Sequence, residues 1–501
     1  MDERERIQKF RKIKIILTEA FMFLSIICLV FFLTLIVTGY SFNLKKLGTE
    51  EEFIERTGLV QISSVPSGAT IEIDGGTPLL LRTNSSKALS VGEHEIVLTK
   101  DGYDSWRKKI ETKEGLVYRL TYPRLFLSER TPEEVAKFEG ISVTTVSPNM
   151  EKLILVQSGK LYMMELNNNR TTVKSLETTK TNGAEKTKAE TILEKIESFE
   201  EIEWSGNSER VLAKVNGELM VINIKNLAES VVVKDLTGEL PIKTLRFETE
   251  VGERLIMLTE NGELRELDLR GKKVSEALVS GVIRFDNDGE RVVYLSKYEK
   301  TKEDEKIEET VKELSGDEAE PQEEFGYQIR AYRMGAEDTY FVAGVKSETA
   351  KIATMKYFQE SLFAIATGEE LEVYGSERWP EKKGVVEKIF EGEVGFEVLR
   401  LEKRGAGMVF SMSGEDGVKA VFDMEAGMLA KLSEAGVKSG WVDEFLRYEI
   451  DENGKFEVVD FDGLNRRELV QEGVNEKFRP VISGKWLYYF RGETLTREKI
   501  N

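Results

Sequence analysis

An all-β fold behind one apolar amino-terminal helix is what this sequence predicts, and three observations carry that expectation. A single uncharged run occupies residues 20–40. Short alternating strands punctuated by Gly, Pro, Asn and Asp then fill residues 58–122. From residue 141 onward a unit of strand, strand, tight hairpin and strand recurs at intervals of roughly 37 to 46 residues, the period of a four-stranded propeller blade. The expected architecture is a transmembrane helix, a small β-sandwich and a seven- or eight-bladed β-propeller, with eight favoured by the count of units.

The helix comes first. About 21 residues at roughly 1.5 Å each span about 32 Å, enough for a hydrocarbon core of about 30 Å. Residues 1–19 carry Arg4, Arg6, Lys9, Arg11, Lys12 and Lys14, whereas the other flank offers only Lys45 and Lys46. A basic cluster resists translocation. The expectation is therefore a single-pass membrane protein with a cytoplasmic amino terminus and extracytoplasmic carboxyl-terminal domains. A cleaved signal peptide is the alternative, since Val37 and Gly39 suit a small-residue cleavage site, but the apolar core exceeds the usual length of about 7 to 15 residues. Cys28 follows Ile26 and Ile27, which excludes a lipid-attachment site and leaves a small apolar residue within the span.

Composition excludes more than it assigns. With 501 residues, 40% of them hydrophobic and 32% charged, the chain has enough material for two folded domains after the helix. A net charge of −19 repels phosphate backbones, so nucleic acid is not an expected partner. One Cys and one His cannot build a Cys/His zinc site, and they leave nucleophilic triads short of a well-placed imidazole. A lone cysteine also rules out an internal disulfide. No catalytic, cofactor-binding or metal-ligating residue is assigned, and no cofactor is expected.

Residues 41–57 read as a juxtamembrane spacer, with Thr49 and Glu52 forming a helical capping box before Phe53 and Ile54. In residues 58–122, Ala69, Ile71 and Ile73 alternate with Thr70, Glu72 and Asp74, placing one face on a core and one in water. Pro66, Ser67 and Gly68 supply the turn before that strand, and Asp74, Gly75 and Gly76 the turn after it. Further strands are expected at 95–99 and 116–122. The residues Ser64, Pro66, Gly68, Ala69, Ile71, Ile73, Asp74 and Gly75, then Thr77 and Pro78, Gly92, Glu93 and His94, and finally Gly102 and Tyr103, resemble the PEGA domain. The connection through residues 74–78 is shorter than is usual in that family. The resemblance implies a small β-sandwich found on surface and membrane-anchored proteins, mainly of bacteria and archaea, that serves attachment or spacing and carries no chemistry. His94 is expected to be an exposed or edge-strand residue. Asn84 and Asn169 begin glycosylation sequons, which matter only in a secretory host.

Residues 123–140 read as a linker in which Thr131, Pro132, Glu133 and Glu134 open a short helix reaching about Phe138. The propeller is expected over 141–501. Its second strands begin at Leu153, Val211, Leu255, Val292, Leu362, Met408, Phe445 and Trp486, which gives eight units. Ser158-Gly159, Asn216-Gly217, Asn261-Gly262, Gly368, Asp416-Gly417, Asn453-Gly454 and Arg491-Gly492 mark the hairpins that follow, where primed turns demand positive φ. The last unit lacks room for a fourth strand, and a segment before residue 141 is available to supply it by circular closure. A ring of this kind leaves only short, protected edges. The turns at Ser147-Pro148-Asn149, Trp204-Ser205-Gly206-Asn207 and Asp286-Asn287-Asp288-Gly289, with the strand end Asp462-Gly463-Leu464-Asn465-Arg466-Arg467, resemble the WD-related propellers typified by the Tol-system periplasmic protein.

Two polar insertions interrupt the units, near residues 167–194 and 298–325. The first is rich in Thr and Lys and is expected to be a mobile loop. The second holds 12 acidic residues against 4 lysines, and is read as a solvated loop because no calcium-ligand spacing appears. The Asp286 to Gly289 turn is likewise read as a blade turn and not a metal loop.

A non-enzymatic, membrane-anchored envelope protein presenting a propeller to a protein, glycan or cell-wall polymer is the functional expectation. Trp379, Trp441 and Trp486 either line the binding face or pack within blades. The alternatives are a polysaccharide-degrading enzyme with paired carboxylates and an envelope assembly factor that docks protein partners.

Overall fold

The structure, a computed structural model, describes residues 3–37, 40–42, 54–77, 82–166, 173–176, 186–248, 251–298, 325–335, 339–357, 360–376, 386–404, 409–415, 417–432 and 438–501. The chain divides into two compact units, residues 1–129 with Asn501, and residues 130–500.

The first unit opens with a helix, Glu3–Val37. The expected single-span anchor is corrected here: among the described residues, no helix is long and apolar enough to cross a membrane. Charge extends along the helix as far as Glu19. Within 20–40, the side chains at 32, 33 and 35–40 lie outside the described residues. The cytoplasmic segment at 1–19 and the placement of later domains outside the cell rested on that anchor, and they are withdrawn with it. Cys28 is exposed on the helix.

Two small sheets follow. Ile54–Ile62 pairs antiparallel with Tyr40–Phe42 and Ser85–Ser90, and parallel with Val117–Leu120. Gly92–Thr99 is the middle strand of the second sheet, between Thr70–Ile73 and Trp106–Thr112. Alternation decides what is buried. Trp106, Lys108, Ile110 and Thr112 point inward while the residues between them face solvent, and Val60, Ile62, Ile71, Ile96, Leu98 and Leu120 complete the core. Lys108 buries its stem and donates to the Tyr122 hydroxyl at 2.6 Å, which satisfies the charge head. The spacer expected to be helical is strand where it is described, and Thr49 and Glu52 lie outside the described residues.

His94 sits on the middle strand, so it is neither at an edge nor exposed: its side chain keeps 10% of its surface. Its Nδ1 lies 2.7 Å from Asp74 Oδ2, and its Nε2 lies 2.8 Å from the Ser90 carbonyl. Asp74 holds a positive φ of 53° in the turn and accepts from the Glu95 amide at 2.8 Å. Burial alone raises the Asp74 carboxyl, but the bonds to His94 and Glu95 together outweigh it and hold the group below its ordinary value.

In the second unit, eight four-stranded antiparallel sheets follow one another along the chain. They cover 141–175, 199–232, 242–274, 282–345, 351–393, 400–431 and 438–470, and the eighth joins 481–499 to an earlier strand. Each of the eight strands recognised as second in its unit is the second strand of its own sheet. The hairpins after them turn as their residues require. Ser158 and Gly159 hold φ of 49° and 76°, and Asn216 and Gly217 hold 51° and 84°, the pairs of positive values that a two-residue primed turn needs. At Gly454 a side chain is also excluded by space, since a Cβ there would lie 2.6 Å from the Val474 nitrogen.

The turn between first and second strands repeats with varied chemistry. Ser147 and Ser205 each accept from the amide five residues on, at 3.0 and 2.9 Å. Asp288 and Asp443 do the same work with a carboxylate, accepting from the amides of Arg291 and Leu446, both at 2.7 Å. In the seventh blade, Asn465 donates to Asp460 at 2.9 Å, and Arg466 bonds Glu457 at 2.8 Å and also Glu449. The motif at 462–467 therefore fastens the end of its own blade.

Neighbouring blades contact one another all the way round. Separate apolar clusters join blades 1 and 2, 2 and 3, 3 and 4, 4 and 5, and 5 and 6. Arg447 of blade 7 donates to the Val418 carbonyl of blade 6 at 3.3 Å, and the Ile482 amide of blade 8 donates to Val442 of blade 7 at 3.3 Å. A last cluster puts Phe478, Tyr488 and Phe490 of blade 8 against Val146, Leu153 and Leu155 of blade 1. The ring is closed, and the fold is an eight-bladed β-propeller.

Closure uses the segment expected to be a helix. Pro132–Lys137 is a strand that pairs antiparallel with Thr494–Lys499, Glu133 opposite Arg497 and Ala136 opposite Leu495. The local capping signal is worth about 1 kcal/mol, whereas leaving the edge of Thr494–Lys499 unpaired strands a row of backbone donors and acceptors. Pro132 fits because the closing strand is itself at an edge, where a missing N–H costs nothing. The first insertion also departs from expectation. Lys188–Leu193 is a helix with a complete capping box between Thr187 and Glu190, and it buries Ala189 and Leu193 against blades 1 and 2. Residues 167–172, 177–185 and 299–324 lie outside the described residues.

Phe138, just past the closing strand, is 4% exposed and stands 6.3 Å from the Phe490 ring. Phe138→Ala is expected to lower unfolding free energy by about 3 kcal/mol in urea titration, while Glu139→Ala on the adjacent surface changes it by less than about 0.5 kcal/mol.

Candidate functional site

First strands touch across blades 2 and 3, 4 and 5, and 5 and 6, while the fourth strand lies at the opposite edge of each sheet. The first strands therefore line the axis of the ring. Their penultimate residues carry side chains that would be unremarkable in a solvated strand, namely Thr145, Glu203, Arg246, Asp286 and Lys403. Here they face the channel and one another.

Most of these groups reach into an adjacent blade. Glu203 of blade 2 accepts from the Phe247 amide of blade 3 at 2.8 Å, and Arg246 of blade 3 lies 3.4 Å from Asp286 of blade 4. Asp286 in turn accepts from the Thr354 amide of blade 5 at 2.9 Å. Lys403 of blade 6 reaches past blade 5 and donates to the Asn287 carbonyl at 2.7 Å. On the other side, Trp204 donates from its indole to the Thr145 hydroxyl of blade 1 at 2.8 Å, and that hydroxyl donates to Glu201. Arg479, two residues before the first strand of blade 8, donates to the Trp441 carbonyl of blade 7 at 2.8 Å. The Arg404 guanidinium of blade 6 lies 5.7 Å from the Trp441 ring centroid.

Electrostatics follow from this setting. Burial pushes both Glu201 and Glu203 up from the usual carboxylate range, and the opposing influences do not cancel it: the Thr145 hydroxyl and Arg479 for Glu201, Arg246 and the Phe247 amide for Glu203. Glu201 lies deep in the ring yet keeps surface open to the channel, so water screens part of this effect. Arg479 is pushed down by burial first and by the like charge of Arg404 second.

The residues weighed from sequence scatter. Trp441 is on the channel and buried; Trp486 is half-buried on blade 8 with the Arg497 guanidinium 4.1 Å above its ring; Trp379 lies outside the described residues. Asp286 faces Arg246 and accepts from the Thr354 amide of blade 5, and Asp288 Oδ1 accepts from the amides of Glu290 and Arg291 in its own turn. Among the described residues, no three His, Cys, Asp or Glu side chains are grouped to hold a metal ion. The axial charges escaped notice because each alone looks like a polar residue of an alternating strand. Aligning the units on their turns was the available signal, since it stacks Thr145, Glu203, Arg246, Asp286 and Lys403 in one column.

Fold and site together define a β-propeller protein with a charged axis and a separate small β-sandwich. Residues 57–124 match the model of the PEGA domain. No curated protein matches the chain. Among solved structures, the C-terminal WD40 domain of Sif2 is 14% identical, with 74% of this chain and 98% of that chain covered and a TM-score of 0.41. Oligogalacturonate lyase from Vibrio parahaemolyticus is 10% identical over 73% of this chain and 98% of that one, with a TM-score of 0.36. Dipeptidyl peptidase 4 of Porphyromonas gingivalis is 10% identical over 71% of this chain and 56% of that one, with a TM-score of 0.43. At scores this low nothing is carried over from them, and the architecture rests on the sheet pairing given above.

A carboxyl raised in the folded state favours folding most at low pH and loses that contribution as pH rises from the ordinary glutamate value, 4.5, through the folded value. Glu203→Gln removes this dependence. In urea unfolding at about pH 4 and about pH 7, wild type is expected to lose stability relative to Glu203→Gln as pH rises; parallel pH profiles would contradict the raised carboxyl.

Proposed function

We propose that this chain is a non-enzymatic binding protein whose propeller engages a protein, glycan or cell-wall polymer at the mouth of its axial channel. The observation that carries the reading is where the axial charges are spent. Glu203, Asp286 and Lys403 are bonded to backbone groups of other blades, so they hold the ring in shape and are not free as an acid–base pair. A rigid ring with loops on two broad faces suits recognition. The match to the PEGA domain supports the same reading, with the sandwich as a spacer. The net charge of −19 argues against nucleic acid as the ligand. Docking of a protein partner, as the likeness of the turns to Tol-type propellers suggests, is one form of this reading.

One observation favours a second reading, a polysaccharide-degrading enzyme. Glu201 is open to the channel and its carboxyl is raised, the condition of a general acid. Such an enzyme also needs a second carboxylate at about 5 to 9.5 Å.

Immobilised full-length chain is expected to retain one class of purified wall polymer, glycan or envelope protein saturably, and to release it intact on competition with soluble chain. Cleavage of a retained polysaccharide that is lost in Glu201→Gln would replace the binding reading with the enzymatic one.

A further inference from the structure

Three hydrogen-bond donors stand around the channel on the side of blades 6 to 8 with no acceptor among the described residues: Arg404 Nε, Trp441 Nε1 and Arg479 Nη2. The contrast with Trp204 is instructive. Trp204 ends the first strand of blade 2 and gives its indole N–H to Thr145, whereas Trp441 ends the first strand of blade 7, is 4% exposed, has the Arg404 guanidinium over its ring face and has no acceptor at its N–H among the described residues. A buried donor left without an acceptor costs roughly 1–3 kcal/mol, and more when it is charged.

The neighbouring acids do not fill this role. Glu402 lies 3.0 Å from Arg404, but at its Nη2. Asp443 gives Oδ1 to the amides of Phe445 and Leu446. Glu201 is engaged by the Thr145 hydroxyl. Among the described residues no carboxylate lies within ion-pair distance of Arg479, whose one hydrogen bond goes from Nε to the Trp441 carbonyl. Trp441 joins the two guanidinium groups, with Arg404 5.7 Å from its ring centroid and Arg479 bonded to its carbonyl at 2.8 Å, and three unpaired donors on residues so placed make an acceptor site. The nearby Glu201 and Asp443 set its charge: a second negative charge on the ligand would be repelled, so a monoanion fits and a dianion does not.

We propose that Arg404, Trp441 and Arg479 form a carboxylate-binding site in the axial channel, and that the ligand of the propeller presents a carboxylate there. This rests on the binding reading above in naming what the ligand carries, but the site is tested without that ligand. Full-length chain is titrated with acetate and with propionate at constant ionic strength, against chloride and inorganic phosphate, with unfolding midpoint and indole fluorescence as readouts. The expected result is a saturable rise in midpoint with the carboxylates that chloride and phosphate do not reproduce. Trp441→Phe, which keeps the ring and removes only the N–H, is expected to weaken the apparent affinity about tenfold, and Arg479→Gln to abolish it. Should Arg479→Gln fail to fold, Trp441→Phe decides alone.

No saturable effect in wild type, an effect unchanged in Trp441→Phe, or phosphate equalling the carboxylates would each overturn the site. The two proposals fail separately. Carboxylate binding without retention of any macromolecule leaves the site standing and removes the binding platform. Retention of the same macromolecule by wild type and Trp441→Phe alike, with no carboxylate effect, does the reverse.

Discussion

Pairing of Pro132–Lys137 with Thr494–Lys499 is the contact on which the larger unit depends, because it is where the two ends of a ring meet. Seven blades are each a continuous meander, and only the eighth must borrow a strand from far away in sequence. Without it, Thr494–Lys499 would present an open edge. The apolar cluster shared by blades 8 and 1, reinforced by the Tyr488 hydroxyl bonded to the Leu166 carbonyl, stands beside that pairing. Backbone pairing at the rim and side-chain packing nearer the axis thus close the same gap by different means.

Closure also sets the charged axis. Glu203, Asp286, Lys403 and Arg479 each bond a backbone group on another blade, and such bonds exist only if the first strands are held at fixed spacing. Buried charges are tolerable when satisfied and costly when not. Around most of the channel they are satisfied by the protein itself. The arginines and indole of blades 6 to 8 are among the exceptions, and it is at exceptions of this kind that a ligand gains most from binding.

Much of this fold was legible in the sequence because its signals are local. Eight strong second strands, each followed by Gly or Asn-Gly at a hairpin, define the repeat without reference to the rest of the chain. The same holds for the alternation at Ala69, Ile71 and Ile73 in the sandwich. What misled was local signal overruled at a distance. Thr131-Pro132-Glu133-Glu134 looks like a helix start, and only the missing fourth strand of the last blade, more than 350 residues away, makes it a strand. The polar stretch at 167–194 hid a helix whose Ala189 and Leu193 find their core on two separate blades. The axial site was least legible, since Glu203 and Lys403 differ from ordinary surface residues only in where the ring places them. The apolar run at 20–40 suggested a membrane span that the described helix does not provide.

Native-state hydrogen exchange at the amides of Thr494–Lys499 tests the closed ring most directly. If that strand is sealed by Pro132–Lys137, its amides exchange with the free energy of global unfolding and together with those of the blade 1 second strand, Lys152–Gln157. Exchange of Thr494–Lys499 by local fraying, well ahead of Lys152–Gln157, would contradict it.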